Sequence, residues 1–498
     1  MDWVAKHKDS PHASFHGGDM DCGNGLLLLI RKHLGPLEPG QLLEILSTEV
    51  SVDEDLPAWA RLTGNQLVSK AKEGKTRSFL IRKAQGTKTT PNTEPQTPVP
   101  NLSAALAHTR INTLPDFCVT GIGSWPRPGW MLQAIHSRLE NRLGENEFQA
   151  TADDAVRLVV QAQLQAGADL ITDGEQRRDS YASFIGSRLG NCQLVPIVDL
   201  LPYVDDPEKF QKELESLDVP GESIHHPAVF GPISREKPLV AHELRFLQTL
   251  TEKPCKVALP GPYLLTRTLW LECVSEKVYK RREDLATDVI RILREEIEEL
   301  LRLNPAVIQL DEPVLTDIVF GRPSKQRSFM CGALGEKKAP AQELEFASEC
   351  LRRTLEGFPR EKFALHICRG NWSRDEAVAL AGDYRPLLGL LKHVPVGILY
   401  LEMCTPRAGE MEVLAGLDSD FKLGLGVVNP KREQAESVQE ILSKAEHAVE
   451  LFGSKRVMLN PDCGFATFAD SPISSRDIAV QKISNMAAAA KILREKYP

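Results

Sequence analysis

The sequence predicts an α/β chain: a (β/α)8 TIM barrel with a small α+β domain at its amino terminus. Two observations predict the barrel. Short apolar runs alternate eight times with amphipathic helical stretches over about 380 residues, and no GxGxxG turn opens the first unit, as it would in an open dinucleotide-binding sheet. A third observation sets the small domain apart. Residues 85–101, QGTKTTPNTEPQTPVPN, are rich in Thr and Pro and hold no large hydrophobic side chain, so they cannot bury a face and read as an extended linker.

In chain order, residues 1–84 form the small domain. After Cys22-Gly-Asn-Gly, residues 26–34 read as a helix, 42–46 as a strand, 53–63 as a second helix and 77–81 as a closing strand. The order strand, helix, strand, helix, strand suits helices packed on one face of a sheet. Residues 85–108 are the linker and 109–498 the barrel. Its eight strands fall at 118–123, 169–173, 256–260, 306–311, 363–367, 397–402, 422–428 and 456–460. Between them lie helices such as 283–303, with Leu285, Val289, Ile292, Leu293 and Ile297 on one face, and 433–452. Residues 191–240 interrupt the alternation as an insertion.

Composition narrows the function. A hydrophobic content of 42% and a charged content of 26% belong to a soluble globular protein with a sizeable core. A formal net charge of −8 argues against a nucleic-acid partner, which calls for a basic face. The longest apolar run, LLLLI at Leu26 to Ile30, is far short of the ~20 residues that cross a bilayer. No membrane association is expected. The start MDWVAKHKDS lacks a signal-peptide layout, and ten cysteines spread over the chain suit a reducing compartment. The expected location is the cytoplasm.

A barrel gathers the carboxyl ends of its strands around one mouth, so residues a hundred positions apart can share an ion. The positions just past each expected strand are Ser124, Glu175, Gly261, Asp311 with Glu312, His366 with Cys368, Glu402 with Cys404, Asn429, and Cys463. One imidazole, two thiols and a carboxylate, His366, Cys368, Cys463 and Glu402, make a ligand set that tetrahedral zinc accepts. Cys404 is the alternative should Glu402 point elsewhere. Structural zinc usually sits in paired CxxC knuckles, so ligands scattered over several strand ends favour a catalytic ion. Zinc stabilises a thiolate, letting a thiol with a solution pKa near ~8.5 react as its anion at neutral pH. Other readings stand beside these: Asp311 and Glu312 can cap a helix, and Glu175 can pair with Arg177 or Arg178 as a rim ion pair.

The motifs TGIGSWPRP, ITDGEQRRD, IQLDEP, LHIC, YLEMC and NPDCGF, in this order, resemble the catalytic barrel of cobalamin-independent methionine synthase and its thiol-alkylating relatives. The resemblance covers residues 109–498. It implies zinc on His366, Cys368, Cys463 and Glu402, and a homocysteine-like thiol held by Ile122, Gly123, Ser124, Glu175 and Asp311. Two departures bear on the methyl donor. The full-length synthases carry an additional amino-terminal barrel that helps to hold the folate, and where they place a His to protonate the departing folate this chain reads GLGVVNPKRE, with Asn429 and Lys431. An Asn amide delivers no proton at neutral pH. The acid then comes from another residue, or the donor, a corrinoid instead of a folate, needs none.

GGDMDCGNG, the helix after it, and the stretch ending RSFLIRK resemble the TusA-type sulfur carriers. Cys22 takes the position of their persulfide-bearing cysteine, with Gly23 and Gly25 where the family has prolines. A helix amino terminus favours a thiolate there; the alternative is a small apolar residue in a domain kept for docking. The expected activity is zinc-dependent S-methyl transfer to homocysteine or a similar thiol by in-line attack. The alternatives are alkyl transfer or lyase chemistry on another thiol or persulfide supplied through Cys22 by a sulfurtransferase partner, and a non-catalytic zinc-dependent sulfur-trafficking protein.

Overall fold

A computed structural model of the chain describes residues 3–4, 6–18, 26–49, 52–53, 56–57, 60, 65–84, 113–139, 142–196, 225–270, 278–321, 338–371, 373–376, 379–418, 420–470 and 472–498. Cys22 and the expected linker, 85–108, lie outside the described residues.

The small domain is a five-stranded sheet built from β1 (Trp3–Val4), β2 (Ala13–His16), β3 (Leu42–Ser47), β4 (Gln66–Glu73) and β5 (Thr76–Arg82), in the order β1-β4-β5-β3-β2. Its core is local and small: Leu26, Ile30 and Leu34 of the helix Leu26–Leu34 pack with Leu43, Ile45, Phe79 and Ile81 of the sheet. Of the expected second helix, residues 53, 56–57 and 60 are described and helical, with Leu56 and Ala60 turned into the same core. The sequence reading missed β4. QLVSKAKE carries charges among its apolar residues and only Ala71 is buried, because its outer neighbour is the two-residue β1 and little covers it.

The insertion is an antiparallel pair, β6 (Leu189–Pro196) and β7 (His225–Arg235). The barrel sheet then runs in chain order: β8 (Lys256–Pro260), β9 (Val307–Asp311), β10 (Phe363–Ile367), β11 (Ile398–Leu401), β12 (Lys422–Val428) and β13 (Val457–Pro461), all parallel neighbours. Three parallel bridges close the ring, Val119 with Leu459, Thr120 with Leu170, and Ile171 with Cys255. The first two expected strands are thus present as these short bridged segments, and the fold is a (β/α)8 barrel.

Side chains of a strand alternate between its two faces, and the burial divides accordingly. Phe363, Leu365 and Ile367 of β10, Ile308 and Leu310 of β9, Leu399 and Leu401 of β11, and Val457 and Leu459 of β13 join the main core beneath the helices. The intervening residues Ala364, Val307, Ile398, Tyr400 and Met458 form a separate cluster inside the barrel with Cys118, Ile122 and Leu170. Carried one more step toward the carboxyl end, the inward parity falls on Asp311, His366 and Glu402.

Candidate metal centre

His366 and Asp311 are register partners on adjacent strands, and their inward side chains meet, His366 Nδ1 lying 2.9 Å from Asp311 Oδ1. Cys368 stands just past β10 and Cys463 just past β13, their sulfurs 3.7 Å apart. One ligand atom from each of His366, Cys368 and Cys463 lies within 4.8 Å of the others, and all three residues are buried. His366 Nε2 is buried without a hydrogen-bond partner. Burial opposes charge on this ring, but the Asp311 hydrogen bond and the Cys368 sulfur outweigh it and raise its pKa to about 10. A cation at Nε2 would satisfy the same preference. Of the two thiols, Cys368 is held well below the usual range by the hydrogen bond from Cys463, against burial, and with help from His366. An orphaned imidazole nitrogen facing two buried sulfurs is a donor set that fits zinc.

Glu402 stands beside this cluster, outside the three-residue group, and is fully buried. Its Oε2 accepts from the Arg369 backbone N–H (2.9 Å) and Asn371 Nδ2 (2.7 Å), while its Oε1 accepts from Arg407 Nε at 3.0 Å. Burial, with Asp462 and Cys368 nearby, raises its pKa to about 8. Cys404, the expected alternative ligand, is turned away: Lys444 Nζ donates to its sulfur at 2.9 Å, and its own N–H goes to Asp462 Oδ1 at 2.8 Å.

A cavity opens above the cluster, lined by Ile122, Ser124, Glu175, Asp311, His366, Cys368 and Cys463 together with Tyr181, Asn371, Gly464, Thr467 and Phe468. Seven of the expected site residues therefore meet on one wall system. Gly123 lies behind it, where an added Cβ would collide with the Glu175 carboxylate. Glu175 is 3% exposed, its Oε2 has no partner, and burial pushes its carboxyl up to about 7 although Arg178 pulls it down. Arg178 Nη1 is 3.7 Å from Glu175 Oε1, but its shorter pair is with Glu243, at 2.7 Å; Arg177 pairs with Asp153. Asp311 Oδ1 also accepts from Gln309 Nε2 at 2.7 Å, so one of its oxygens is committed to orienting the imidazole.

Glu312, Asn429 and Lys431 do not line the cavity either. Glu312 accepts from the backbone N–H groups of Tyr263 (2.8 Å) and Leu264 (2.9 Å) and so caps the helix Pro262–Thr268, the capping alternative. Asn429 donates its amide to Glu376 Oε1 (2.6 Å) and takes the Lys431 N–H on its own oxygen (2.9 Å). Lys431, whose pKa burial and then Arg407 lower to about 8, donates to the Asp375 carbonyl. Sequence reasoning missed Arg369, Asn371 and Arg407. Arg369 braces the loop through the carbonyl oxygens of Gly382, Glu402 and Ala408, and Arg407 Nη2 reaches Asn371 Oδ1 at 3.0 Å. All three lie one to five residues past a strand-end ligand, so a reading that follows the loops and not only the strand ends would reach them.

Residues 208–492 match the family described as the cobalamin-independent synthase, catalytic domain. The chain belongs to this family. Among its relatives, a methionine synthase of Sulfolobus acidocaldarius is 27% identical over 76% of this chain and 92% of its own length, and one of Saccharolobus solfataricus is 25% identical over 78% and 97%. The B12-independent methionine synthase of Shewanella sp. W3-18-1, solved with selenomethionine, superimposes with a TM-score of 0.57 at 24% identity, covering 77% of this chain and 99% of that one. A putative synthase from Listeria monocytogenes gives 0.53 at 17% identity over 76% and 99%. Residues 25–83 match a second family, the sulfurtransferase TusA. The chain thus joins a TusA domain to a cobalamin-independent synthase domain, and the second makes it an enzyme of the methyltransferase type. Among the described residues no helix is long and apolar enough to cross a membrane.

Proposed function

We propose that the chain is a zinc-dependent S-methyltransferase that methylates homocysteine or a closely related amino-acid thiol. The observation that carries this reading is the unpartnered His366 Nε2 buried against the Cys368 and Cys463 sulfurs. His366, Cys368 and Cys463 would hold the zinc, with Glu402 as fourth ligand. What zinc supplies in such a place is stabilisation of a thiolate at neutral pH. Glu402 has Arg369, Asn371 and Arg407 to receive its carboxylate whenever it is not a ligand, so its release strands no buried charge. Glu175, buried and with one oxygen free, is suited to accept the ammonium of an amino acid, and the Ser124 hydroxyl, on the same cavity wall, is available to its carboxylate.

Metal analysis of the purified protein should find about one zinc per chain, lost in His366→Ala; equal content in both proteins removes the zinc reading. The protein is then incubated with homocysteine and either methyl-tetrahydrofolate or methylcobalamin, and methionine is measured. Product with one donor identifies it. Silence with both removes homocysteine as the acceptor and leaves the second reading, which the TusA match favours: transfer to another thiol or persulfide brought by Cys22, just ahead of the matched segment.

A further inference from the structure

Lys256 opens β8 inside the barrel and is 1% exposed. Its ammonium donates to the Gly121 carbonyl oxygen at 2.6 Å and to Gln309 Oε1 at 2.8 Å, and lies 4.3 Å from the centroid of the Tyr400 ring. All three partners are uncharged. A buried ammonium touching no carboxylate is costly, and a position that served only to fill the barrel would be more stably occupied by an apolar side chain. Burial accordingly lowers its pKa to about 7, and the groups that resist this are Asp311, Cys118 and Glu175, two of which line the cavity above.

The connection upward is continuous. As an ammonium Lys256 has donors and no acceptor, and it draws the Gln309 amide oxygen toward itself, leaving the amide nitrogen to face the other way. That nitrogen, Nε2, donates to Asp311 Oδ1 at 2.7 Å, and the same oxygen receives His366 Nδ1 at 2.9 Å. With Nδ1 committed as donor to a carboxylate, the ring plane is fixed and Nε2 faces the two sulfurs. Were the amide free to turn over, its carbonyl oxygen would oppose Asp311 and the imidazole would lose a defined anchor. We infer that Lys256 is a positioning residue of the metal centre, acting through Gln309 and Asp311 to set the tautomer and orientation of His366. The inference rests on the zinc reading above and concerns residues that touch neither metal nor substrate.

The test is the zinc dissociation constant by chelator competition in the full chain, for Lys256→Met, Gln309→Met and the double variant. Partners that orient a metal-binding histidine typically change affinity about ten- to a hundredfold. Each single variant should weaken zinc binding by about tenfold or more, and the double variant should be no weaker than the worse single, because both cut one chain. Tight zinc binding in the wild type that is unchanged in Gln309→Met and Lys256→Met, with only the melting temperature lowered, overturns the inference alone, as do fully additive losses. A wild type that binds no zinc overturns the zinc reading and this inference with it. Should Lys256→Met not fold, Gln309→Met decides, since it cuts the chain with the lysine in place.

Discussion

At the scale of single residues, Glu175 concentrates most of the argument. It sits at φ 54° after Gly174 at φ 69°, a left-handed pair that is uncommon for a side-chain-bearing residue. Asp173 Oδ1 holds the turn by accepting the Glu175 N–H at 3.0 Å, and Arg127 accepts the role of fixing its carbonyl by donating to it at 2.7 Å. The result is a carboxylate aimed into the cavity instead of along the loop. Only the ionised form can take an ammonium, and its pKa is raised to about 7. Affinity for an amino-acid thiol should therefore rise with pH through about 7. In Glu175→Gln the KM should increase by about tenfold or more and that pH dependence should vanish, with zinc content unchanged; a KM equal to the wild type would remove Glu175 from the substrate site. Its position just past a strand was legible in the sequence. The turn that aims it was not, because one of the two hydrogen bonds that hold it comes from Arg127, forty-eight residues away.

Among the elements, the step from Asp311 to Glu312 shows how a strand end divides labour. Successive residues point to opposite faces: Asp311 turns into the barrel, and Glu312 turns to the amino terminus of the helix Pro262–Thr268, whose Tyr263 and Leu264 N–H groups it accepts. Gly261 allows the approach, since a Cβ there would strike the Glu312 carboxylate. Replacing Glu312 by Ala leaves two buried donors unpaired, which should cost about 1–3 kcal/mol and lower the melting temperature without removing zinc. An unchanged melting temperature would show that the cap is dispensable. The expected strands at 256–260, 363–367 and 422–428 coincide with β8, β10 and β12 because each is a mainly apolar run buried on both faces from its second residue on. The half-exposed β4 gives no such signal.

Across the whole molecule, the small domain and the barrel have separate hydrophobic clusters, one around Ile45 and Phe79 and the others around and inside the eight strands. Calorimetry should accordingly resolve two transitions, and deletion of residues 1–84 should remove one while zinc binding persists; a single cooperative transition lost on deletion would show the two to be one folding unit. The sequence by itself determined where the barrel strands lie and which donor types stand at their carboxyl ends, because these follow from local hydrophobic period and from ligand chemistry. Only the tertiary structure decided which donors meet. His366 and Asp311 pair because β9 and β10 take one register, Glu402 is caught by Arg407 and Asn371, Cys404 is drawn off to Lys444, and Asn429 is held by Glu376 outside the cavity. Each of those choices depends on register and rotamer between segments distant in sequence, which a one-dimensional pattern does not encode.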